Sequence, residues 1–366
     1  MSDHLPFEIQ TEIMKRLPVK SLLRFRSVSK SCKSLIDSSD FIKHYIGQKQ
    51  HLLVRCYDYV AHSEKQPMSI VDDHTFPTQR ISVTLPEFVK YPDIIGSSHG
   101  LLCFYSLDNP TFGTTTGRAV IFNPCIRKTV AFAVPRVIYG PIYRTAIGFG
   151  VCCQTKDPKI VKITLVKSHI DFKSVDWIPW QVEVFTLSTR TWRSPYSNNV
   201  PSKSIIYMNQ VVVDGCLYWL ATDRLDQCDN LIISFDMTSE EFREVNLPDS
   251  LAHGYCSLYI YNLSESLAVV KDGVEDNKRV YDVWMMQDDS FIKLYTINSS
   301  HSPDVSIQRV CGFRKTGEPV VALETDPSSR ILATYDPYSK SITNVGINGK
   351  LVSYFVFSYM ETLLLL

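Results

Sequence analysis

Two contiguous carboxylate pairs, Asp72-Asp73 and Glu240-Glu241, are the residues of this chain best suited to acid–base work. Paired carboxyls flanking a glycosidic bond can divide the roles of acid and base, but they must face each other across several ångströms. Here each pair is sequential and sits in a turn between short apolar runs, where polar side chains serve the backbone first. A sugar-processing site would need carboxylates brought together from separate parts of the chain. The nine histidines, at 4, 44, 51, 62, 74, 99, 169, 253 and 301, form no local ligand pair. His99 with Cys103, and His253 with Cys256, each lack the second half of a zinc site. Cys152 and Cys153 are adjacent on a strand-like run and point to opposite faces, so core packing accounts for one of them. No phosphate-cradling glycine loop, nucleophile elbow or His-Glu-x-x-His motif occurs. The expectation is therefore no catalytic residue, no cofactor and no metal.

The composition narrows the class further. The chain has 366 residues, 45% of them hydrophobic, with 38 basic and 38 acidic side chains. A formal charge of zero gives no global pull toward nucleic acid. No apolar run approaches the roughly 20 residues of a membrane helix, and Leu363-Leu364-Leu365-Leu366 is far too short. Ten cysteines without a secretory leader point to reduced thiols, hence cytoplasm or nucleus, where the sequons at Asn262 and Asn298 go unused. Residues 1–50 carry nine Lys/Arg against five Asp/Glu, a basic excess within a neutral chain.

That basic segment is helical in texture. Ile13 and Leu17 follow Ile9 at four-residue steps, and Pro18 closes the first helix. A second run from Val19 to Val28 leads into Ser29-Lys30-Ser31-Cys32-Lys33-Ser34-Leu35-Ile36. About fifty residues bury too little surface to be robust alone, so part of this apolar face is expected to meet a partner. The order Leu5-Pro6-x-Glu8-Ile9, Glu12-Ile13, Arg16-Leu17-Pro18-Val19-Lys20-Ser21-Leu22-Leu23-Arg24-Phe25-Arg26-x-Val28-Ser29-Lys30-Ser31 and Phe41 resembles an F-box, above all those of plants. The resemblance implies docking to the Skp-type adaptor of an SCF (Skp–cullin–F-box) ubiquitin ligase. It assigns adaptor contact to Leu5, Pro6, Ile9, Ile13, Leu17, Pro18, Leu22, Leu23, Phe25, Val28, Cys32, Leu35 and Ile36. Cys32 stands where the plant family usually has Trp, and the smaller side chain weakens packing there.

From about residue 52 the texture changes to short β runs separated by turns. Five runs end on an aromatic residue at 122, 185, 235, 284 and 335, at intervals of 63, 50, 49 and 51. Fifty residues before Phe122 lies a weaker copy, Ile70-Val71-Asp72-Asp73. A second turn recurs between the markers, at Ser98-His99-Gly100, Asp214-Gly215, Ser264-Glu265 and Thr316-Gly317. Two hairpin turns per fifty residues make a four-stranded unit, and roughly 310 residues make about six blades of a β-propeller; a pair of β-sandwiches is the structural alternative. The segments Ser97-Ser98-His99-Gly100-Leu101-Leu102-Cys103-Phe104 and Asn123-Pro124-x-x-Arg127-Lys128 resemble the F-box-associated domain of plant F-box proteins, which is kelch-like, although the paired glycines of true kelch repeats are missing. The self-incompatibility F-box proteins lie close within that resemblance. Ring closure is expected between Leu52-Leu53-Val54-Arg55-Cys56-Tyr57 and Ser353-Tyr354-Phe355-Val356-Phe357.

The surplus in the 63-residue interval falls in residues 168–180, where Phe172, Trp177 and Trp180 are candidate anchors for a protein client. Folding back of both tryptophans against the blade is the competing outcome. Residues 106–118 read as a second, solvated loop. The division is thus 1–48 as adaptor-binding helices and 49–366 as substrate-binding propeller. The function expected is that of a non-catalytic substrate-recognition subunit, bridging an adaptor and its cullin to an unknown protein. A propeller lectin or glycosidase, and an F-box scaffold working outside ubiquitination, are the alternatives.

Overall fold

The computed structural model describes residues 6–45, 47, 50–58, 68–73, 80–84, 93–107, 117–135, 142–166, 180–197, 199, 204–223, 230–253, 257–275, 278–298, 305–326, 329–350 and 352–366. Four short helices come first: α1 (Phe7–Lys15), α2 (Val19–Phe25), α3 (Lys30–Ile36) and α4 (Ser39–His44). Pro6 and Pro18 stand immediately before α1 and α2, where a missing N–H costs nothing. Ser29 and Ser38 start α3 and α4, accepting from the backbone N–H groups of Cys32 and Phe41. A two-pronged Arg26–Asp37 ion pair ties the end of α2 to the end of α3.

Twenty-four strands follow, in six antiparallel sheets of four. The first three are β1 (Gln50–Asp58), β2 (Met68–Asp72) and β3 (Arg80–Val83). The second blade holds β4 (Asp93–Ser98), β5 (Leu101–Leu107), β6 (Gly117–Asn123) and β7 (Lys128–Val134). The third holds β8 (Ile142–Val151), β9 (Pro158–Val166), β10 (Gln181–Thr186) and β11 (Thr191–Arg193). The fourth holds β12 (Ser204–Val213), β13 (Cys216–Asp223), β14 (Asn230–Asp236) and β15 (Phe242–Val245), followed by one helical turn, α5 (Asp249–Ala252). The fifth holds β16 (Ser257–Leu263), β17 (Ser266–Glu275), β18 (Lys278–Gln287) and β19 (Ser290–Asn298). The sixth holds β20 (Ser306–Phe313), β21 (Pro319–Asp326), β22 (Ser329–Tyr335) and β23 (Ile342–Lys350). The last strand, β24 (Val352–Met360), returns to the first blade, whose order is β24-β1-β2-β3. Its register runs from Gln50 opposite Met360 to Asp58 opposite Val352, so the two anticipated segments close the ring.

Each sequence marker lies on the third strand of its blade: β6, β10, β14, β18 and β22, with Ile70 and Val71 on the third strand of the closing blade. In four of them a left-handed residue follows five positions after the aromatic, namely Arg127, Arg190, Glu240 and Lys340. Side chains stabilise the same turns: Asp236 Oδ1 accepts from the N–H groups of Thr238 and Ser239, and Asp336 Oδ1 from those of Tyr338 and Ser339. The Trp284 marker departs from this pattern because β18 runs on to Gln287 and turns at Asp288–Asp289, after a register shift beside Trp284. Turns between first and second strands place two residues at positive φ, as at His99-Gly100, Asp214-Gly215 and Ser264-Glu265, the twist that suits a tight hairpin.

Apolar residues from facing sheets fill the spaces between blades, and polar staples cross those seams. Ser98 Oγ accepts from the Val151 N–H, Gln210 exchanges two hydrogen bonds with the Phe149 backbone, and Asn262 donates to the Val212 carbonyl. The Tyr261 hydroxyl donates to the Val310 carbonyl, and Arg314 pairs with Asp73. Between the third and fourth blades, Glu240 is fully enclosed and accepts from Lys159 Nζ at 2.9 Å, from both terminal nitrogens of Arg193 at 2.7 and 2.6 Å, and from the Tyr196 N–H at 3.1 Å. Burial pushes its proton affinity up, but the hydrogen bonds from Arg193 and Lys159 outweigh this and hold the carboxyl below its usual range.

Removing that charge leaves the buried Lys159 and the half-buried Arg193 without their carboxylate. Glu240→Gln is expected to cost about 3 kcal/mol at neutral pH by urea unfolding. Because the folded-state pKa is depressed, this contribution is complete above the ordinary glutamate value. The gap between the two proteins should close as pH falls through the folded-state pKa.

Candidate functional site

Two features outside the blade interiors could bind something. The first is the outer surface of the helices. Met14, Val19, Leu22, Ile36, Phe41 and Tyr45 form a small core, while Phe7, Ile9, Ile13 and Val28 are 58%, 47%, 41% and 73% exposed. Ile9 and Ile13, one turn apart, make an apolar stripe on α1. Arg16, Lys20, Arg24, Lys30 and Lys33 of the helical unit are exposed, as are Glu8 and Glu12 of α1.

The helices do not hang loosely. Residues 361–366, which follow β24, run between them and the disc. Leu363 is completely buried in the helical core, and Leu364 packs with Leu101, Ile121 and Phe149 of the propeller. Glu361 Oε2 accepts from the Val19 N–H at 3.1 Å, supplying the α2 start with the anionic cap that Pro18 cannot. Cys125 and Ile126, in the turn after β6, pack against the same core. Asn123, fully buried, anchors the arrangement: its Nδ2 donates to the carbonyls of Thr362 and Leu364 at 3.0 and 2.7 Å, and its Oδ1 accepts from the Cys125 N–H. Gly100, at φ +75°, lies against the Met360 carbonyl, where any Cβ would collide with backbone. The Tyr45 hydroxyl donates to the Leu17 carbonyl, and burial pushes its pKa up.

The second feature is an axial cavity of about 410 Å³, walled by all six innermost strands, β24, β4, β8, β12, β16 and β20. Its walls are mainly apolar and aromatic, including Ile94, Tyr105, Tyr259, Phe313, Phe355 and Phe357. Among the described residues its charged lining is Arg55, Arg309 and one carboxylate, Asp93. The guanidinium of Arg309 lies over the rings of Phe355 and Tyr259, at 5.0 and 5.5 Å from their centroids. A glycosidase needs two carboxyls facing each other, and the described lining offers one. No group of three His, Cys, Asp or Glu residues able to hold a metal ion occurs among the described residues.

Comparison with known proteins decides the family. The F-box domain matches residues 2–44, and the F-box associated beta propeller domain matches residues 90–364. The chain belongs to the F-box proteins that carry this propeller. It is 26% identical to F-box protein CPR1 of Arabidopsis thaliana, over 96% of this chain and 86% of that one. An F-box/kelch-repeat protein of the same plant is 24% identical over 78% of this chain and 76% of its own. Among solved structures, TolB from Acinetobacter baumannii matches with a TM-score of 0.48 at 11% identity, covering 90% of this chain and 73% of that one.

Of the F-box residues assigned to adaptor contact, Pro6, Ile9, Ile13, Pro18 and Val28 face outward. Leu17, Leu23, Phe25, Cys32 and Leu35 are half-buried around the helical core, and Leu5 lies outside the described residues. Leu22 and Ile36 are corrected by the fold: both are wholly enclosed and hold the module to itself, because α2 and α3 turn those positions inward. Phe7 is the outward residue that spacing missed, since it lies off the Ile9–Ile13–Leu17 stripe. Of the proposed client anchors, Phe172 and Trp177 lie outside the described residues. Trp180 is corrected: it is 4% exposed in the core between the third and fourth blades, edge-on to Phe242. Asp73 and Glu240 serve the seams rather than chemistry.

The buried tail depends on Asn123. Asn123→Ala strands two buried carbonyls and should lower stability by about 2–3 kcal/mol. Faster amide exchange in residues 361–366, with accelerated proteolysis near residues 45–50, is the expected readout.

Proposed function

We propose that this F-box protein is the substrate-recognition subunit of an SCF-type ubiquitin ligase, with residues 1–48 docking to a Skp-type adaptor and residues 49–366 holding a protein client. The observation that carries the reading is that Phe7, Ile9, Ile13 and Val28 stay solvent-facing, Ile9 and Ile13 as one apolar stripe, on helices otherwise packed down onto the disc. An apolar patch rimmed by polar groups marks a protein interface. The exposed basic side chains of the helical unit suit an acidic adaptor surface, and each apolar side chain covered adds about 1.5–3 kcal/mol.

The propeller's role follows from its two faces. The turns between first and second strands and those between third and fourth strands belong to the face that meets the helices. β5 ends and β6 begins on the opposite face, as do β9 and β10, and that is the side on which a client is held. The tail packed between helices and disc keeps the client at a constant reach from the ligase, so that ubiquitin transfer becomes effectively intramolecular. The chain itself performs no bond chemistry in this reading. No helix among the described residues is long and apolar enough to cross a membrane, and the proposed site of action is the cytoplasm, the nucleus or both.

Pull-down with purified adaptor and cullin is the test. Capture of both supports a ligase subunit, whereas adaptor without cullin indicates a scaffold acting outside ubiquitination. Ile13→Asp places a charge in the exposed stripe and should weaken adaptor capture more than tenfold, while thermal melting of the β domain stays unchanged. Retained capture would remove α1 from the interface.

A further inference from the structure

We propose that the axial cavity is a binding site for a small organic acid, a monocarboxylate with an apolar or aromatic body, held by the guanidinium of Arg309. The inference stands on the cavity alone and does not require the ligase reading.

Arg309 lies on β20 between two register shifts, at Ile307/Arg309 and Val310/Gly312, so the innermost strand bulges on both sides of it. Bulges of this kind re-aim a side chain. Its guanidinium lies over the rings of Phe355 of β24 and Tyr259 of β16, which restricts the orientation of the group. Its Nε is sealed by protein and has no hydrogen-bond partner, so a ligand in the cavity meets the rest of the guanidinium. A carboxylate accepts charge-assisted hydrogen bonds from such a group, and that interaction holds the ligand. Burial opposes the charge, but the neighbouring Tyr261 sustains it and keeps the group cationic.

The remaining lining selects the kind of acid. A volume of about 410 Å³ falls within the range of small-molecule sites. Four of the other polar side chains in the wall are already engaged: Gln210 with the Phe149 backbone, Asn262 with the Val212 carbonyl, Ser97 with the Ser358 carbonyl, and the Tyr261 hydroxyl with the Val310 carbonyl. A peptide entering this space would bring backbone N–H and C=O groups that find few partners. A compact acid asks only for one cation and apolar walls. Asp93, at the start of β4, is the single described carboxylate of the lining and offsets one of its two cations, Arg55 and Arg309, so the described wall suits a single negative charge on the ligand. Tyr259, Arg309 and Phe355 all lie nearer the N-terminal ends of their strands, whereas the helices meet the face at the C-terminal ends. The guanidinium therefore lies toward the end of the cavity away from the helices.

The test uses the full chain, without adaptor, titrated by calorimetry and thermal shift with phenylacetate and hexanoate as probes. Phenylacetamide serves as the uncharged match, and a short Asp/Glu-rich peptide as the alternative occupant. Saturable binding of the acids is expected, at least tenfold tighter than phenylacetamide. Arg309→Gln should lose about tenfold or more in affinity. Arg309→Lys keeps the charge without the fork; it should fold like the parent and bind with intermediate affinity, so the proposal survives a folding failure of the glutamine variant. Equal binding of acid and amide, unchanged binding in both variants, no binding of either acid at millimolar concentration, or tighter binding of the acidic peptide would each overturn the assignment.

Discussion

Nine residue pairs between β1 and β24 hold this molecule in its ring, and the other elements take their positions from that closure. A propeller whose first blade lacked its inner strand would present an open edge on β1 and uncover the sixth-blade face that packs against Tyr354 and Val356. The same strand then delivers residues 361–366 to the space between helices and disc, where Leu363 completes one core and Leu364 another. Closure and mounting are therefore one event. Asn123 and Gly100 make this coupling specific, one by accepting the tail's carbonyls as partners for its amide, the other by leaving room for the Met360 carbonyl.

Ionisable groups in the disc act mainly as cross-braces. Glu240 joins two blades through Lys159 and Arg193, and Asp73 joins two more through Arg314 and the Lys315 N–H. Both acids occupy turns after a third strand, so the turn leading to a blade's outer strand also grips the blade before it. Arg309 is the exception. Its charge is directed inward to the axis rather than across a seam, and aromatic faces hold it in place of a carboxylate.

Much of the architecture was legible because it repeats. The aromatic markers recur since each third strand ends at the same kind of turn, with a left-handed residue five positions on at Arg127, Arg190, Glu240 and Lys340. The closing strands were readable because ring geometry demands a partner for β1. What escaped was non-local. Nothing in the spacing of Leu363-Leu364-Leu365-Leu366 reveals that it is mortar between two modules, because its partners lie hundreds of residues earlier. Trp180 looked like a loop anchor from its neighbours, but it immediately precedes β10 and its ring turns into the core. Leu22 and Ile36 share the apolar character of Ile9 and Ile13, and only the packing of the four short helices and the tail separates the inward pair from the outward one. Arg309 lies between two bulges, which no residue pattern announced.

The placement of the latch also sets an order of assembly. During synthesis β24 emerges roughly 300 residues after β1, so the helices are made first and wait without a seat while five complete blades accumulate. A chain halted before that strand has neither a shut disc nor a braced N-terminal module, and both its raw sheet edge and its oily helices face the cell together. Closure of the ring is thereby a checkpoint: a chain that cannot shut cannot seat its N-terminal helices against the disc.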